Sequence, residues 1–536
     1  MQRSPESDDV NLTVVNRRKL MQLTGISTAA IVGSEFLGSI PSAGAQSSDR
    51  PVLRVGLAGL PDSLDPQLTV LNQRTLVDGT LFNNLLMRNY LAGDPPGTGA
   101  EPAPGLATAW NRVDDLTLEV TLREGVTFHD GSPLTADDVK FTFDRMLLDP
   151  DNFVQSAATI GTIKSVEIVN PTTVRFATES PDPLLEKRLT TFVTWIVPKA
   201  YFERVGADAF GLSPVGTGPY KLVEFHAEDS LILESHDAYW GGLPPASRIE
   251  FRVIPEIAAR VAALSSGEID IATGILPDQI ETIASTDGLD VRGVQIMNFR
   301  TIYYNTRSGP LTDVRLRHAL NVSIDRQLII DTLWNGQAVL PRGPQFENYG
   351  PLFDADRPYP AYDPDQAKSL MAEAGYAGDL ITMWLPVDYY TLGAEVAQAI
   401  IEMWNEVGFN AELQLVPVAN LNDNAETKTM TSGSNGNEFA DPDAWWFRWA
   451  KGSSVAKFYW TAENPRFEEA GLEARSILDN EERLALYKEL MDIWDEEAPG
   501  TVLYIPIEQY GVRSDISWQP YGDYVLDFGP ANLKFS

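Results

Sequence analysis

Twice in this chain a short alternating run leads into an apolar-faced helix and out into a second alternating run, which restricts the fold more than any other feature. In the first unit Ile249, Phe251 and Val253 alternate with Glu250 and Arg252. Residues 256–264 then read as a helix, Gly267 suits a left-handed cap, and Ile269 with Ile271 opens a new strand. In the second unit residues 381–385 form a strand, and Val396, Ile400, Met403, Trp404 and Val407 fall at helical spacing up to Gly408. Leu413 and Leu415 continue it as a strand. A right-handed crossover of this kind belongs to a sheet with helices packed on it. At 536 residues the chain also exceeds one hydrophobic core, so the periodicity predicts two α/β lobes.

Residues 116–146 have another character. Leu116, Leu118, Val120 and Leu122 alternate with Thr117, Glu119, Thr121 and Arg123 as a half-buried strand. Glu124-Gly125 turns the chain, residues 126–128 form a second short strand, and Asp130-Gly131 turns it again. Thr135 and Asp138 have capping-box spacing; Val139, Phe143, Met146 and Leu147 follow at helical spacing until Asp149-Pro150. Nothing in this stretch is catalytic, so it reads as scaffold. Elsewhere, residues 52–57 are a first strand, 76–87 a helix, 93–104 a Gly/Pro-rich surface loop, and 166–169 with 173–177 paired strands. Gly216, Gly218 and Pro219 turn the chain into a strand. Their G-T-G lacks the further glycines and the lysine of a phosphate loop. Asp325 caps one helix, and Asp363-Pro364 starts another that Gly375 ends. Leu484, Tyr487, Met491 and Trp494 mark a last amphipathic helix, followed by strands near 502–507 and 512.

Charge and rare residues exclude several functions. Lys plus Arg number 41 against 75 Asp plus Glu, a net charge of −34, which repels nucleic-acid backbones and anionic lipid. The absence of cysteine removes disulfides, thiolate metal sites, a cysteine nucleophile and a lipidated cysteine. His129, His226, His236 and His318 show no metal-binding spacing, and no G-x-S-x-G elbow is present. Near the start, Arg17 and Arg18 precede a mildly apolar run over 23–37 and an A-x-A site ending at Ala45. These predict twin-arginine export with cleavage after Ala45 and a soluble, unanchored mature protein.

Four ordered stretches resemble the peptide/nickel/opine family of ABC-importer solute-binding proteins, extracellular family 5, over about residues 50–530. The LREGVTFHDGSPLTADDV run resembles the family segment at nearly every position. The DSLDP loop, PVGTGPYKLVEF and IAARVAALSSGEIDI are similar as well. The resemblance implies a two-lobed type II periplasmic-binding-protein fold with an accessory subdomain in the first lobe and a hinge between lobes. It places lobe I at 46–85, 212–299 and 512–536, the accessory subdomain at 86–211 and lobe II at 300–511, after a 1–45 signal peptide. It implies a monomeric periplasmic receptor, not an enzyme and without cofactor, metal or nucleic acid. That receptor would deliver a small ligand to an inner-membrane ABC permease. A di- or oligopeptide ranks first, with an opine, an oligosaccharide or a sugar conjugate as alternatives and a secreted hydrolase as the distant one.

The ligand is expected in loops after strands. Candidates are Leu60, Asp62 and Ser63; Asp388, Tyr389 and Tyr390; and residues 441–451, DPDAWWFRWAK. By resemblance Asp441 or Asp443 would hold a ligand ammonium, and spacing does not decide which. Trp445 and Trp446 would wall the site and Arg448 would take a ligand carboxylate. The plainer alternative makes one aspartate a helix cap and the tryptophans core.

Overall fold

The computed structural model describes residues 50–68, 76–387, 389–421, 428–436 and 439–536. The predicted signal residues Arg17, Arg18 and Ala45, and also Asp388, lie outside them.

The alternation after Arg50 becomes the strand Val52–Leu57, with Leu53, Val55 and Leu57 fully buried. It pairs in parallel with Arg248–Val253 on one side and Ile271–Ala272 on the other, the two strands joined by the helix Ile257–Ser265. Ser230–Ser235 and Tyr220–His226 extend this sheet at one edge. At the other edge are Ile505–Arg513, Leu289–Gln295 and the short Ala338–Val339, eight strands in all. A second, five-stranded sheet runs in the order Asn410–Val416, Leu380–Pro386, Met430–Gly436, Asn298–Tyr304, Gly500–Val502. The helix Gly393–Val407 packs on it through Val396, Ala397, Ile400, Ile401 and Trp404. The helix Pro364–Ala374 has Asp363 accepting from the Gln366 N–H and Gly375 in the left-handed region at φ 69°. These two sheets, each with its own core, are the two α/β lobes expected from periodicity.

A third sheet, antiparallel and four-stranded, runs Ala107–Asp114, Thr117–Leu122, Thr173–Thr178, Ile163–Asn170. The helix Ala136–Leu148 buries Val139, Phe143 and Met146 against it, and Asp138 accepts the Thr135 N–H at 2.9 Å to close the capping box. Two expectations fail locally. Residues 126–128 make no strand, only a bridge between Thr127 and Pro133, because turns at Gly125 and Gly131 leave too little chain for a ladder. The helix expected over 76–87 ends after residue 78, and Leu86–Arg88 is a strand paired with Pro102–Pro104. There Thr80 Oγ1 donates back to the Val77 carbonyl and Asn84 Nδ2 donates to the Thr191 carbonyl, 2.6 Å each, so side chains compete with the helical ladder.

His129 ties the accessory sheet to the glycine turn of lobe I. Its Nδ1 accepts the Gly216 N–H at 3.2 Å and its Nε2 lies 3.1 Å from the Gly218 carbonyl. A Cβ on Gly216 would lie 2.0 Å from the Leu81 carbonyl oxygen, which is why the turn needs glycine. Burial holds the His129 imidazole down at about 3, against the pull of the Gly218 carbonyl. The unfolded chain, with an ordinary imidazole, takes up a proton first as pH falls. This part of the stability is present above about 6.5 and is lost toward 3, at about 1.4 kcal/mol per pH unit. His129→Gln is expected to remove that slope in urea midpoints measured at pH 7.5, 6 and 5. An unchanged slope would assign it elsewhere.

Candidate functional site

The chain passes between the two large sheets side by side. Leu289–Gln295 ends in lobe I and Asn298–Tyr304 begins in lobe II, while Gly500–Val502 and Ile505–Arg513 make the return. The Arg300 N–H donates to the Tyr504 carbonyl and the Leu503 N–H to the Arg300 carbonyl, both at 2.8 Å; the Ile296 N–H donates to the Pro506 carbonyl at 3.2 Å. Two side chains of opposite charge stand at this crossing. Glu508, on the returning strand, points toward the loop after Ile271–Ala272. A Cβ on Gly274 there would lie 3.9 Å from Glu508 Oε1 and 3.4 Å from Arg260 Nη2. That loop follows the carboxyl end of a parallel strand, the position where α/β sheets take ligands.

Among the described residues no hydrogen bond or ion pair reaches the Glu508 carboxylate, which is half-buried. Burial pushes its pKa up to about 7, outweighing the opposing pull of Arg300 and Arg260. Arg260 is engaged elsewhere: its Nε donates to the Thr273 carbonyl and its Nη1 to the Ile254 and Pro255 carbonyls. Arg300 is buried, its guanidinium 4.5 Å from the centre of the Tyr390 ring, and its Nε has no hydrogen-bond partner. Its Nη1 makes a long 3.4 Å hydrogen bond to Asn298 Oδ1, and its side chain also bonds to the Tyr524 hydroxyl. Tyr389 and Tyr390 meet edge to face, centroids 4.8 Å apart, with Tyr389 half exposed. Arg448 is half-buried and its charge acts on Tyr303 and Tyr390, which places it on the same side.

The other sequence candidates sit differently. Leu60 is in the lobe I core, Asp62 is exposed, and Ser63 packs on Gly211 with Oγ accepting the Asp65 N–H. Asp441 and Asp443 are fully buried. Asp441 Oδ1 pairs with Arg483 at 2.7 Å and also accepts the Asp443 N–H at 3.1 Å, while Oδ2 lies 3.8 Å from Lys187. Asp443 takes a fork from Arg475, 2.6 and 3.0 Å, and lies 3.9 Å from Arg188. The expectation that either waits for a ligand ammonium is corrected: the protein's own cations occupy both. Trp445 and Trp446 are core as well. Trp445 stands edge-on to Phe467 and Trp494, and Trp446 Nε1 donates to the Phe467 carbonyl over Gly471, where a Cβ would meet the indole at 1.9 Å. Both belong to the apolar cluster under the helix Asp443–Trp449, as in the plainer alternative.

Local pattern in the sequence does not single out Glu508 or Arg300. The available signal is an acid after the apolar start Ile505-Pro506-Ile507 of the strand IPIEQYGVR.

The fold and the crossing together define a two-lobed binding protein. The family model "Bacterial extracellular solute-binding proteins, family 5 Middle" matches residues 101–457, and the chain belongs to that family. It is 27% identical to the dipeptide-binding protein of Escherichia coli K12 over 88% of this chain and 91% of that one. It is likewise 27% identical to heme-binding protein A of Haemophilus influenzae, over 81% and 83% of the two chains. The crystal structure of NikA from Brucella suis in complex with Fe(III)-EDTA superposes with TM-score 0.80 at 22% identity, covering 91% of this chain and all of that one. The protein is thus an extracytoplasmic solute-binding protein of an ABC importer, a class that binds and delivers its solute without chemical conversion. Among the described residues no helix is long and apolar enough to cross a membrane, and no group of acidic or histidine side chains could hold a metal ion.

Proposed function

We propose that the solute is a di- or oligopeptide, gripped at the inter-lobe crossing and handed to an inner-membrane permease. The observation that carries this reading is the pairing of an unpartnered carboxylate, Glu508, with an under-bonded guanidinium, Arg300, among tyrosine rings. A peptide offers an ammonium, carbonyl oxygens and apolar side chains to such groups. The E. coli relative named for dipeptides supports the same choice. Of the sequence candidates, Tyr389, Tyr390 and Arg448 keep a place at this site.

Binding would close a hinge at the paired crossings, since a ligand touching both lobes stabilises the closed state. Lobe I would comprise residues 46–85, 212–299 and 512–536, with 86–211 inserted and 300–511 as lobe II. The monomeric protein would be exported through the twin arginines, Arg17 and Arg18, and cut after Ala45. The test is a melting-temperature panel of dipeptides, tripeptides, glutathione, heme and nickel–histidine. A peptide present at a hundred times its dissociation constant adds about 2.7 kcal/mol to stability. A shift with heme or nickel–histidine and none with any peptide would overturn the reading.

A further inference from the structure

We propose that a cavity walled chiefly by residues 79–90, 190–195, 239–241 and 521–531 is a second binding site, one that takes a compact aromatic amine or similar organic cation. It lies apart from the inter-lobe crossing and stands whichever solute is carried there.

The cavity holds about 270 Å³. An apolar cavity of about 150 Å³ already accommodates benzene, so a bicyclic ring with a short arm fits this one. The lining stops at Gly241 and resumes at Tyr521, so it shares no wall with the five-stranded sheet or with the helix Gly393–Val407 packed on it. Phe82 and Trp195 form one aromatic wall, their planes 24° apart and their centres separated by 6.4 Å. Tyr239 and Trp240 form another, tilted by 53° with centres 5.2 Å apart. Gly241 and Ala531 in the lining are exposed, so a ligand can enter there.

The charged groups of the lining leave one carboxylate over. Arg88 and Asp523 meet across the Tyr90 hydroxyl, which donates to Asp523 Oδ2 and takes a hydrogen bond from Arg88, so those two charges offset each other. Asp527 has neutral partners: Oδ1 accepts the Gly529 N–H at 2.8 Å and Oδ2 the Tyr521 hydroxyl at 2.9 Å. Among the described residues the one charge that acts on it is that of another acid, Asp523, and burial raises its pKa above the ordinary carboxylate value. A carboxylate has room for about four hydrogen bonds, so each Asp527 oxygen can still accept one from a ligand. A protonated amine supplies the missing counter-charge and donors, while the rings take its apolar body and attract the cation through their faces. Arg123, which does not line the cavity, already shows the Trp240 ring holding a cation, its guanidinium 4.5 Å from the ring centre. A neutral ring fills the space and leaves Asp527 without a counter-charge; an anion faces two acids.

The test is calorimetric titration of the full chain at pH 7.5 with tryptamine, 3-methylindole and indole-3-propionate, bicyclic probes that differ in charge. Tryptamine should bind about tenfold or more tightly than 3-methylindole, and indole-3-propionate more weakly still. Asp527→Asn keeps the shape and the bond to Gly529, and should bring tryptamine down to the level of 3-methylindole with the melting temperature at or above that of wild type. Hydrogen exchange places the ligand without any variant: tryptamine should slow exchange over 239–241 and 521–531. The proposal is overturned if tryptamine does not bind or 3-methylindole binds as tightly. It is equally overturned if Asp527→Asn keeps wild-type affinity for tryptamine, or if protection falls on 389–390 at the crossing instead.

Discussion

Asp441→Ala is expected to destabilise the protein by about 3–5 kcal/mol, because it orphans a buried charge. Arg483 has 2% of its side chain exposed and reaches Asp441 Oδ1 at 2.7 Å. Its remaining bonds, to the Ala474 carbonyl and the Tyr487 hydroxyl, are to neutral groups. Burial alone would lower the Arg483 pKa; the Asp441 charge outweighs it and holds the guanidinium above its ordinary value. Lys187 loses a partner too, though its Nζ keeps the Ala440 carbonyl at 2.7 Å. Lys187 stands on the helix Leu185–Arg188 and Asp441 just before the helix Asp443–Trp449, so the same change also loosens a contact between these distant stretches. Thermal melts of Asp441→Ala, and of Asp441→Ala combined with Arg483→Met, distinguish a lost charge partner from lost packing. The double variant should regain most of the stability, since a buried pair replaced by apolar groups is close to neutral. A single variant melting with wild type would show that the pair contributes nothing.

That network also marks where sequence reading stopped. Spacing showed two acids around Pro442 followed by three tryptophans, and both a cap with a core and an open binding loop fit it. The difference lies in Lys187, Arg188, Arg475 and Arg483, which come from two distant stretches of chain and could not be placed beside Asp441 and Asp443 by local pattern. Elements set by their own residues were legible: the Asp363, Pro364 and Gly375 helix, the Thr135 capping box, and the two strand–helix–strand units. The helix over 76–87 was misread because Asn84 binds the Thr191 carbonyl, a partner over a hundred residues away. Glu508 escaped for a related reason. A single acid in a strand reads as an exposed face until the loop at Gly274 and the arginines around it are assembled.

Arg145→Ala is expected to have a comparable effect on stability, about 3–5 kcal/mol, and to act on the loop after the first strand as well. Arg145 lies on the helix Ala136–Leu148, the element the family resemblance pointed to most strongly. Its guanidinium forks onto Asp65 at 2.6 and 3.3 Å, with both side chains nearly or wholly buried, and lies 4.1 Å from the centre of the Phe202 ring. Asp65 in turn accepts the Gln67 N–H at 3.2 Å, and Gln67 Nε2 donates to the Trp195 carbonyl at 2.8 Å. One arginine of the helix Ala136–Leu148 thus fixes the loop after the strand Val52–Leu57, which local turn residues alone would leave loose. Arg145→Lys keeps the charge and loses the fork, so it should fall between wild type and alanine. Hydrogen exchange separates the two consequences. Faster exchange confined to residues 58–68 in Arg145→Ala means that the pair positions the loop. Protection retained there, with stability lost all the same, would mean that it secures only the helix.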